Sequence, residues 1–177
     1  MHNSSPFQTL TTDRLILRDL RTDDVADLII LRSDKRVNKY LDRPKTITDN
    51  DAKAFIKKIH AGINKKEWFY WAISLRNSDK LIGTICLWHI DKDNDSAEIG
   101  YEMHPDFQGK GLMYEAIATI IDFGFILLKL KKIIAFVNPA NKRSVRLLEK
   151  HNFNRDKGID DYTGAQKEIG LSLITSD

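Results

Sequence analysis

Gly109 and Gly111 flank Lys110 at the junction between a predicted strand and a predicted helix. Glycines at such a junction let the backbone approach a ligand closely, and the first helical turn offers unpaired N–H groups and a positive dipole end. This arrangement suits a diphosphate group. The dinucleotide-binding pattern fails because Tyr114 stands where its third glycine belongs, and the P-loop pattern fails because position 104 is His. By itself the loop is equally compatible with a simple turn.

A second candidate segment is the start of the helix predicted over residues 141–150. Asn is a favoured helix-capping residue, and capping by Asn141 makes Ser144 the third residue of the helix. Both side chains then lie at the helix N-terminus, where Ser144 either faces a ligand or bonds the backbone.

Charge is unevenly distributed along the chain, although the formal net charge is only +3. Residues 129–157 carry nine basic side chains against two acids, and residues 91–106 carry six acids against one lysine. The first run favours an anionic ligand and the second a cationic one, but the commoner explanation of either run is a solvated surface. The small net charge does not indicate a nucleic-acid-binding protein, and we expect no direct DNA binding.

Hydrophobic periodicity predicts the elements that position these residues. The predicted strands cover residues 12–18, 68–75, 81–90, 97–103 and 132–137, with two more around Thr163 and Gly164, and the predicted helices cover residues 22–32, 48–62, 112–128 and 141–150. Short polar links between the middle strands favour an antiparallel meander. We therefore expect one α/β domain of the α+β type over residues 1–177, with a core from about residue 10 to residue 174 and a mixed, mostly antiparallel sheet.

Composition restricts the class of protein further. The 177 residues are 42% apolar and 30% charged, which suits one packed domain. The single cysteine, Cys86, cannot form a disulfide within the chain, and the absence of CxxC and HExxH spacings leads us to expect no bound metal. No apolar run approaches the roughly 18 residues that a membrane span needs, and the first ten residues do not resemble a signal peptide. We expect a cytoplasmic protein without membrane contact.

Several ordered motifs together resemble the GNAT N-acetyltransferases. They lie at residues 12–18, 97–101, 104–116 and 141–153, and the resemblance runs from about Leu10 to Ile174. Their order and spacing are similar to those of the branch that acetylates the amino termini of ribosomal proteins. The resemblance implies acetyl-CoA as donor and a primary amine as acceptor, without an acylated enzyme. It also implies that the strands ending at Met103 and Val137 splay apart, in a sheet with helices on both faces.

The resemblance further implies which residues contact acetyl-CoA. The family's diphosphate loop, Gln/Arg-x-x-Gly-x-Gly/Ala, is matched from Gln108 onward, and Met113 departs from it at the last position. Backbone groups near the end of the preceding strand would follow the pantetheine arm. The expected contacts are Tyr101, Glu102, Met103, Gln108, Gly109, Lys110, Gly111, Leu112, Met113, Tyr114, Asn138, Asn141 and Ser144.

Acetyl transfer to an amine requires a base, because an alkylammonium with a reference pKa near 10.4 has no lone pair at neutral pH. Glu98 is the first candidate, since it stands where the protein-lysine acetylating branch carries its base. Glu102 lies four residues along the same strand and points to the same face. Asp160 and Asp161 stand where some relatives keep an acidic residue and are weaker candidates.

The departing thiolate benefits from a hydrogen-bond donor. Many family members place a tyrosine seven residues after the motif asparagine, where this chain has Leu148. Ser144 therefore takes the role of acid, as the ribosomal-protein branch suggests. Asn152 replaces the family's glycine at the end of this helix, and asparagine tolerates the left-handed backbone needed there. His104 and His151 flank the expected coenzyme A site, and we expect both at the surface.

The expected activity is acetylation of a primary amine, with a ribosomal-protein N-terminus as the first candidate acceptor. Three alternatives stay open: a small-molecule amine such as a polyamine or an aminoglycoside, a coenzyme A-binding sensor without turnover, and an RNA-associated module that uses residues 129–157. Both a monomer and a homodimer are compatible with the sequence.

Overall fold

The computed structural model of the protein describes residues 8–45, 47–160 and 167–175. These residues form one mixed sheet of eight strands with helices packed on both of its faces. The strands are β1 (Leu10–Thr11), β2 (Leu15–Arg18), β3 (Phe69–Leu75), β4 (Gly83–Asp91), β5 (Ser96–Met103), β6 (Lys132–Val137), β7 (Asn154–Arg155) and β8 (Ile169–Ile174). The α-helices are α1 (Val25–Ser33), α2 (Asp49–Asn64), α3 (Leu112–Asp122) and α4 (Lys142–Glu149).

The order of the strands explains how the sheet opens. It runs β1-β2-β3-β4-β5-β6-β8-β7, and among these neighbours only β5 and β6 are parallel. The β5–β6 ladder is short, because it joins only residues 96–98 to residues 132–134. Beyond Glu98 and Ile134 the two strands part. The predicted meander, mixed sheet and splayed strand pair are therefore confirmed.

Two hydrophobic cores hold the helices against the sheet. The core under α3 includes Ile99 and Met103 of β5, whereas the core under α1 and α2 includes Tyr70 of β3 and Cys86 of β4. Successive side chains of a strand point to opposite faces, so Glu98 and Glu102 point toward α1 and α2. Because of this alternation, the two carboxylates lie on one face of β5 and the Tyr101 side chain lies on the other.

The second helix differs from its prediction at its C-terminus. A capping box between Thr48 and Asp51 starts α2 as expected, but the helix ends at Asn64 and not at Gly62. A Cβ atom on Gly62 would lie 2.0 Å from the Trp68 ring, so this glycine provides space for the indole and does not end the helix.

Two other elements are shorter than predicted. The first predicted strand is reduced to β2, because Thr12 turns the chain and its Oγ1 accepts a hydrogen bond from the Leu15 N–H at 2.9 Å. The helix predicted over residues 112–128 leaves α-helical geometry at Phe123, and its last turn, Phe123–Leu127, is a π-helix. The predicted strand turn at Thr163 and Gly164 lies outside the described residues.

None of the helices in the described ranges is both long enough and apolar enough to span a bilayer.

Candidate active site

The parting of β5 and β6 opens a cleft of about 1590 Å³ that reaches from α1 to α4. Gly111, at the start of α3, and Asn141, at the start of α4, both border this cleft. Of the fourteen residues predicted for catalysis or acetyl-CoA contact, thirteen line it and Lys110 does not. One surface thus brings together residues that are more than forty positions apart in the sequence, from Glu98 to Ser144.

The glycine loop presents its backbone openly to the cleft. Gly109 and Gly111 both have φ of 75°, a left-handed conformation that favours glycine. A Cβ atom on Gly109 would meet no described atom within 4 Å, and Gly111 is the N-cap of α3. Met113 packs in the core under α3, so its departure from the family pattern leaves the loop accessible. An open backbone followed by a helix N-terminus fits a diphosphate.

Arg14, which precedes β2, braces this loop from behind. Its Nη1 donates to the Lys110 carbonyl oxygen at 2.9 Å, and its Nε donates to Glu115 Oε2 at 2.7 Å. The Thr12 hydroxyl also donates to Glu115. Burial alone would raise the pKa of Glu115, but these hydrogen bonds outweigh it and lower the pKa. The motif at residues 12–18 therefore has a positioning role that the sequence did not reveal.

Basic side chains of α4 border the same end of the cleft. Arg143 Nη1 donates to Gln108 Oε1 at 2.7 Å, and Gln108 Nε2 donates to the Met103 carbonyl oxygen at 2.8 Å. This chain of contacts ties α4 to the loop and to β5. The basic side chains that line the cleft here are Lys142, Arg143, Arg146 and Lys150. Only this part of the basic run at residues 129–157 borders the site, because Lys131 and Lys132 instead pair with Asp95 and Asp156.

Ser144 makes contacts that span β5 and α4. The Asn141 side chain accepts a hydrogen bond from the Ser144 N–H at 3.2 Å, which confirms the predicted cap. The Ser144 Oγ lies 2.8 Å from the Tyr101 hydroxyl. Burial raises the pKa of Tyr101 to about 12, although the hydrogen bond with Ser144 acts in the opposite direction. Tyr101 was expected to contribute only backbone groups, and β-strand alternation was the signal that places its side chain beside α4.

The other predicted residues near α4 have structural contacts of their own. Asn138 Oδ1 accepts a hydrogen bond from the Ala140 N–H at 2.9 Å and so shapes the turn before α4. Leu148, where many relatives have a tyrosine, is buried in the core under α3. Asn152 has φ of 63°, so the left-handed conformation predicted at this helix end is confirmed.

Glu98 lies at the closed end of the cleft, in the last residue pair that joins β5 to β6. Its Oε2 is 2.7 Å from His89 Nδ1, and the His89 side chain is 77% exposed. His89 reaches Glu98 because the β4–β5 register shifts between Trp88 and Asp91, and its φ is 46°. No sequence motif indicates this pair. A carboxylate in contact with a solvent-exposed imidazole can pass a proton toward water.

Glu102 has a different environment from the one predicted by its acidic neighbours in sequence. Its Oε2 is 2.6 Å from Arg43 Nη2, its Oε1 is 3.4 Å from Arg32 Nη1, and its side chain is 8% exposed. Thr84 also donates to Oε1 at 3.4 Å. Both carboxylate oxygens therefore already contact side-chain donors of the protein itself. At this position the acidic run at residues 91–106 is paired with two arginines.

Three further residues named from the sequence remain, and for one of them the prediction is wrong. Asp160 is not among the residues that line the cleft; its buried carboxylate bonds Arg155 and accepts from the Gly170 N–H at 2.9 Å. Asp161 lies outside the described residues. His151 was expected at the surface, and this is wrong: it is 8% exposed, and its ring stacks on Tyr114 at 4.1 Å between centroids. The turn after α4 carries it beneath the start of α3.

Across the described ranges, no three His, Cys, Asp or Glu side chains group as metal ligands would.

Comparison with known proteins assigns this cleft to a family. Residues 14–154 match the acetyltransferase (GNAT) domain. The chain belongs to the GNAT acetyltransferase family. It is therefore an acyltransferase, and GNAT acetyltransferases use acetyl-CoA as the acetyl donor.

Relatives of this acetyltransferase differ in their acceptors. The protein named Uncharacterized N-acetyltransferase p20, from Bacillus licheniformis, is 33% identical over 163 residues, which cover 92% of each chain. The [Ribosomal protein uS5]-alanine N-acetyltransferase of Escherichia coli is 26% identical over 97% of this chain and 92% of its own. The spermidine N(1)-acetyltransferase of Vibrio cholerae is 28% identical over 79% of each chain.

A solved structure shows the same fold. The microcin C7 self-immunity acetyltransferase MccE, in complex with acetyl-CoA and AMP, superposes with a TM-score of 0.80. It is 21% identical and covers 93% of this acetyltransferase, and the match covers 94% of MccE.

Proposed function

We propose that this acetyltransferase transfers the acetyl group of acetyl-CoA to the N-terminal amine of a protein, with ribosomal proteins as the first candidates. One observation carries the proposal. Glu98 and the Tyr101–Ser144 hydroxyl pair lie on opposite faces of β5, at the point where the strands part. Direct transfer needs a proton acceptor beside the amine and a proton donor beside the sulfur, and this strand separates the two.

The donor side of the cleft is built to hold a polyanion. Acetyl-CoA, when bound, supplies an activated thioester. The open backbone of Gly109 and Gly111 and the N-terminus of α3 would bind its diphosphate, and the basic side chains of α4 would neutralise phosphate charge. The unpaired edge of β5 beyond Glu98 would follow the pantetheine arm.

On the acceptor side, Glu98 would take the proton that the amine must lose. Its contact with His89 gives that proton a path to solvent. On the donor side, the Ser144 hydroxyl would donate a proton or hydrogen bond to the departing sulfur, and Tyr101 would support it. Because burial raises the pKa of Tyr101, its hydroxyl stays protonated at neutral pH and can donate to Ser144.

The relatives favour a protein acceptor over a polyamine. The relative from Escherichia coli, named for an alanine of ribosomal protein uS5, aligns with 97% of this chain. A spermidine acetyltransferase is also a relative, but it aligns with 79% of this chain. The charged side chains that line the cleft away from α4 balance each other: they are Arg32, Arg36, Lys39 and Arg43 against Asp42, Glu98, Glu102 and Glu168.

Membership of an enzyme family does not favour the sensor or the RNA-associated alternative. We also propose that residues 1–177 form one acetyltransferase domain, because the family match covers residues 14–154 and the sheet runs from Leu10 to Ile174.

The direct test is a mass-shift assay with acetyl-CoA. The acceptors are synthetic peptides with the N-terminal sequences of ribosomal proteins, spermidine and an aminoglycoside, and fragmentation locates the added acetyl group. We expect acetylation at the α-amine of at least one peptide and slower acetylation of spermidine. Acetylation of spermidine or the aminoglycoside without any peptide product would overturn the proposed acceptor.

Glu98→Gln tests the proposed base. Since general-base catalysis contributes roughly 10²–10⁴-fold, we expect kcat to fall in that range while acetyl-CoA affinity is preserved. Glu67→Gln, the same change at an exposed residue outside the cleft, is the matched control. An unchanged kcat in Glu98→Gln would exclude Glu98 as the base.

A further inference from the structure

The two arginines that hold Glu102 form a rigid cationic group on the acceptor side of the cleft. The Arg43 Nε donates to Asn38 Oδ1 at 2.7 Å, and Asn38 Nδ2 donates to the Arg32 carbonyl oxygen at 2.6 Å. The Arg32 guanidinium also stacks over the Phe55 ring, 4.2 Å from its centroid. Each arginine is therefore fixed by contacts that do not involve Glu102. We call Arg32, Arg43 and Glu102 the arginine clamp.

The charge of the arginine clamp does not balance. One arginine is enough to pair a buried carboxylate, and a second one leaves the clamp with a net charge of +1. Burying a surplus guanidinium is unfavourable unless something else compensates it. The clamp thus carries one more positive charge than is needed to neutralise the Glu102 carboxylate.

Part of both guanidinium groups remains available to a ligand. Among the contacts of the described residues, Arg43 Nη1 and Arg32 Nη2 have no hydrogen-bond acceptor. The two side chains are only 15% and 19% exposed, yet both line the cleft. Guanidinium groups that are held in place and partly shielded from water suit a carboxylate or a phosphate.

The clamp and the proposed base are spaced along one strand. Glu98 and Glu102 point to the same face of β5, and four residues of extended strand cover about 13 Å. In an extended peptide each residue covers about 3.3–3.6 Å. Three steps along an extended peptide cover about 10–11 Å, so a peptide with its amine beside Glu98 would bring its fourth residue close to the clamp.

We infer that the arginine clamp is a specificity site for an acceptor amine that carries an anionic group, and that its occupant is the acidic side chain at the fourth position of a peptide acceptor. This inference rests on the proposed function and goes beyond it by naming the acceptor class.

The test compares three amidated tetrapeptides that differ at one position: Ser-Ala-Ala-Glu, Ser-Ala-Ala-Gln and Ser-Ala-Ala-Lys. Since a charge-assisted hydrogen bond contributes about one factor of ten in binding or more, we expect kcat/KM to be about tenfold higher for the Glu peptide than for the Gln peptide. The Lys peptide should be the poorest acceptor.

Substitutions in the clamp should change the preference for the Glu peptide, and substitutions of Arg43 and of Glu102 should change it in opposite directions. Arg43→Gln should remove most of it, and Arg43→Lys should restore part of it. Glu102→Gln frees both arginines and should increase it; if Glu102 were the base, this variant would lose activity with all three peptides. Arg21→Gln, which removes an arginine outside the cleft, should keep the wild-type preference. Melting temperature and acetyl-CoA affinity show that each variant is folded.

A second set of acceptors separates this inference from the proposed function. It consists of 10-aminodecanoate, decylamine and 1,10-diaminodecane, whose chains are long enough to reach from Glu98 to the clamp and which differ in the group at the end remote from the amine. Peptides acetylated without regard to charge would overturn the clamp and leave the proposed function standing. Acetylation of 10-aminodecanoate in preference to the other two amines, without any peptide product, would overturn the proposed function and retain the anionic specificity. No charge preference in either set would overturn the clamp.

Discussion

The Tyr101 hydroxyl lies 2.8 Å from the Ser144 Oγ and joins β5 to α4 across the cleft. Tyr101 comes from the strand that carries the proposed base, and Ser144 comes from the first turn of the helix that borders the coenzyme side. Leu148 supplies no polar group to the cleft, whereas this pair presents hydroxyl groups beside α4. We propose that the pair supplies the proton for which the family resemblance implied a tyrosine.

Removal of either hydroxyl should slow turnover without weakening coenzyme binding. We expect Ser144→Ala to lower kcat by tens of fold, below the full general-acid range of roughly 10²–10⁴, because a thiolate is a fairly good leaving group. Tyr101→Phe should have a smaller effect of the same kind, and the double variant should resemble Ser144→Ala if Tyr101 acts through Ser144. Steady-state kinetics and acetyl-CoA titration measure both quantities. A loss of acetyl-CoA affinity with unchanged kcat would show that Ser144 only binds.

The glycine loop can be tested by separating backbone strain from charge at one position. Gly111→Ala and Gly111→Asp both place a side chain on a residue with φ of 75°, at a strain of roughly 1–2 kcal/mol. Only the second adds a negative charge where the diphosphate is expected. We expect acetyl-CoA affinity to fall a few-fold in Gly111→Ala and about a hundredfold or more in Gly111→Asp, since each factor of ten corresponds to about 1.4 kcal/mol. Equal affinities of the two variants would contradict the loop assignment.

Arg14 should affect coenzyme binding more than stability. Its side chain is 49% exposed, so its ion pair with Glu115 contributes only about 0–1 kcal/mol to the free energy of unfolding. Its bond to the Lys110 carbonyl oxygen, however, fixes the loop. We expect Arg14→Gln to weaken acetyl-CoA binding several-fold with little change in urea unfolding. Arg21→Gln is the control for loss of one positive charge, and equal affinities of both variants would show that Arg14 does not position the loop.

The features that the sequence predicted correctly depend on local rules. Asn141 caps α4 and Asn152 takes a left-handed conformation because capping and helix termination involve only a few neighbouring residues. The strands of the meander follow from short polar links and alternating hydrophobicity. The splay of β5 and β6 was predicted from the family motifs, because no rule about neighbouring residues predicts it.

The features that the sequence missed depend on contacts between distant segments. Arg14 and Glu115 are 101 positions apart, and Arg43 and Glu102 are 59 apart. Nothing near Glu102 in the sequence indicates a cation, so its contacts with Arg32 and Arg43 could not be predicted. Which arginine reaches which carboxylate is decided by how α1 and the segment after it pack on the sheet.

His151 is buried, although the sequence predicted it at the surface. Its burial predicts that the free energy of unfolding depends on pH. Its ring stacks on Tyr114, and its Nε2 has no hydrogen-bond partner within the described residues. Burial lowers the pKa of His151 below the ordinary value of 6.5, and only a hydrogen bond with the Tyr114 backbone opposes this shift. The folded protein therefore resists protonation of a ring that the unfolded chain protonates readily.

The sign of the effect follows from this difference in proton affinity. Below pH 6.5 the unfolded state binds a proton at His151 before the folded state does, so the contribution of the neutral ring to stability is present above pH 6.5 and is lost as the pH falls. His151→Phe keeps the stacked ring and cannot titrate. At pH 7.5 we expect the variant to be less stable by about 1 kcal/mol, because the bond with the Tyr114 backbone is lost. At pH 5.5 this gap should narrow or reverse.

Urea unfolding of wild type and His151→Phe at pH 7.5 and pH 5.5 measures the four free energies of unfolding required. Phe153→Leu is the control, because Phe153 is a buried residue close to His151 in the sequence that does not titrate. This control should change stability equally at the two pH values. If the difference between wild type and His151→Phe is the same at both pH values, His151 is not held neutral by burial, and its stack on Tyr114 has no part in the acid sensitivity of the fold.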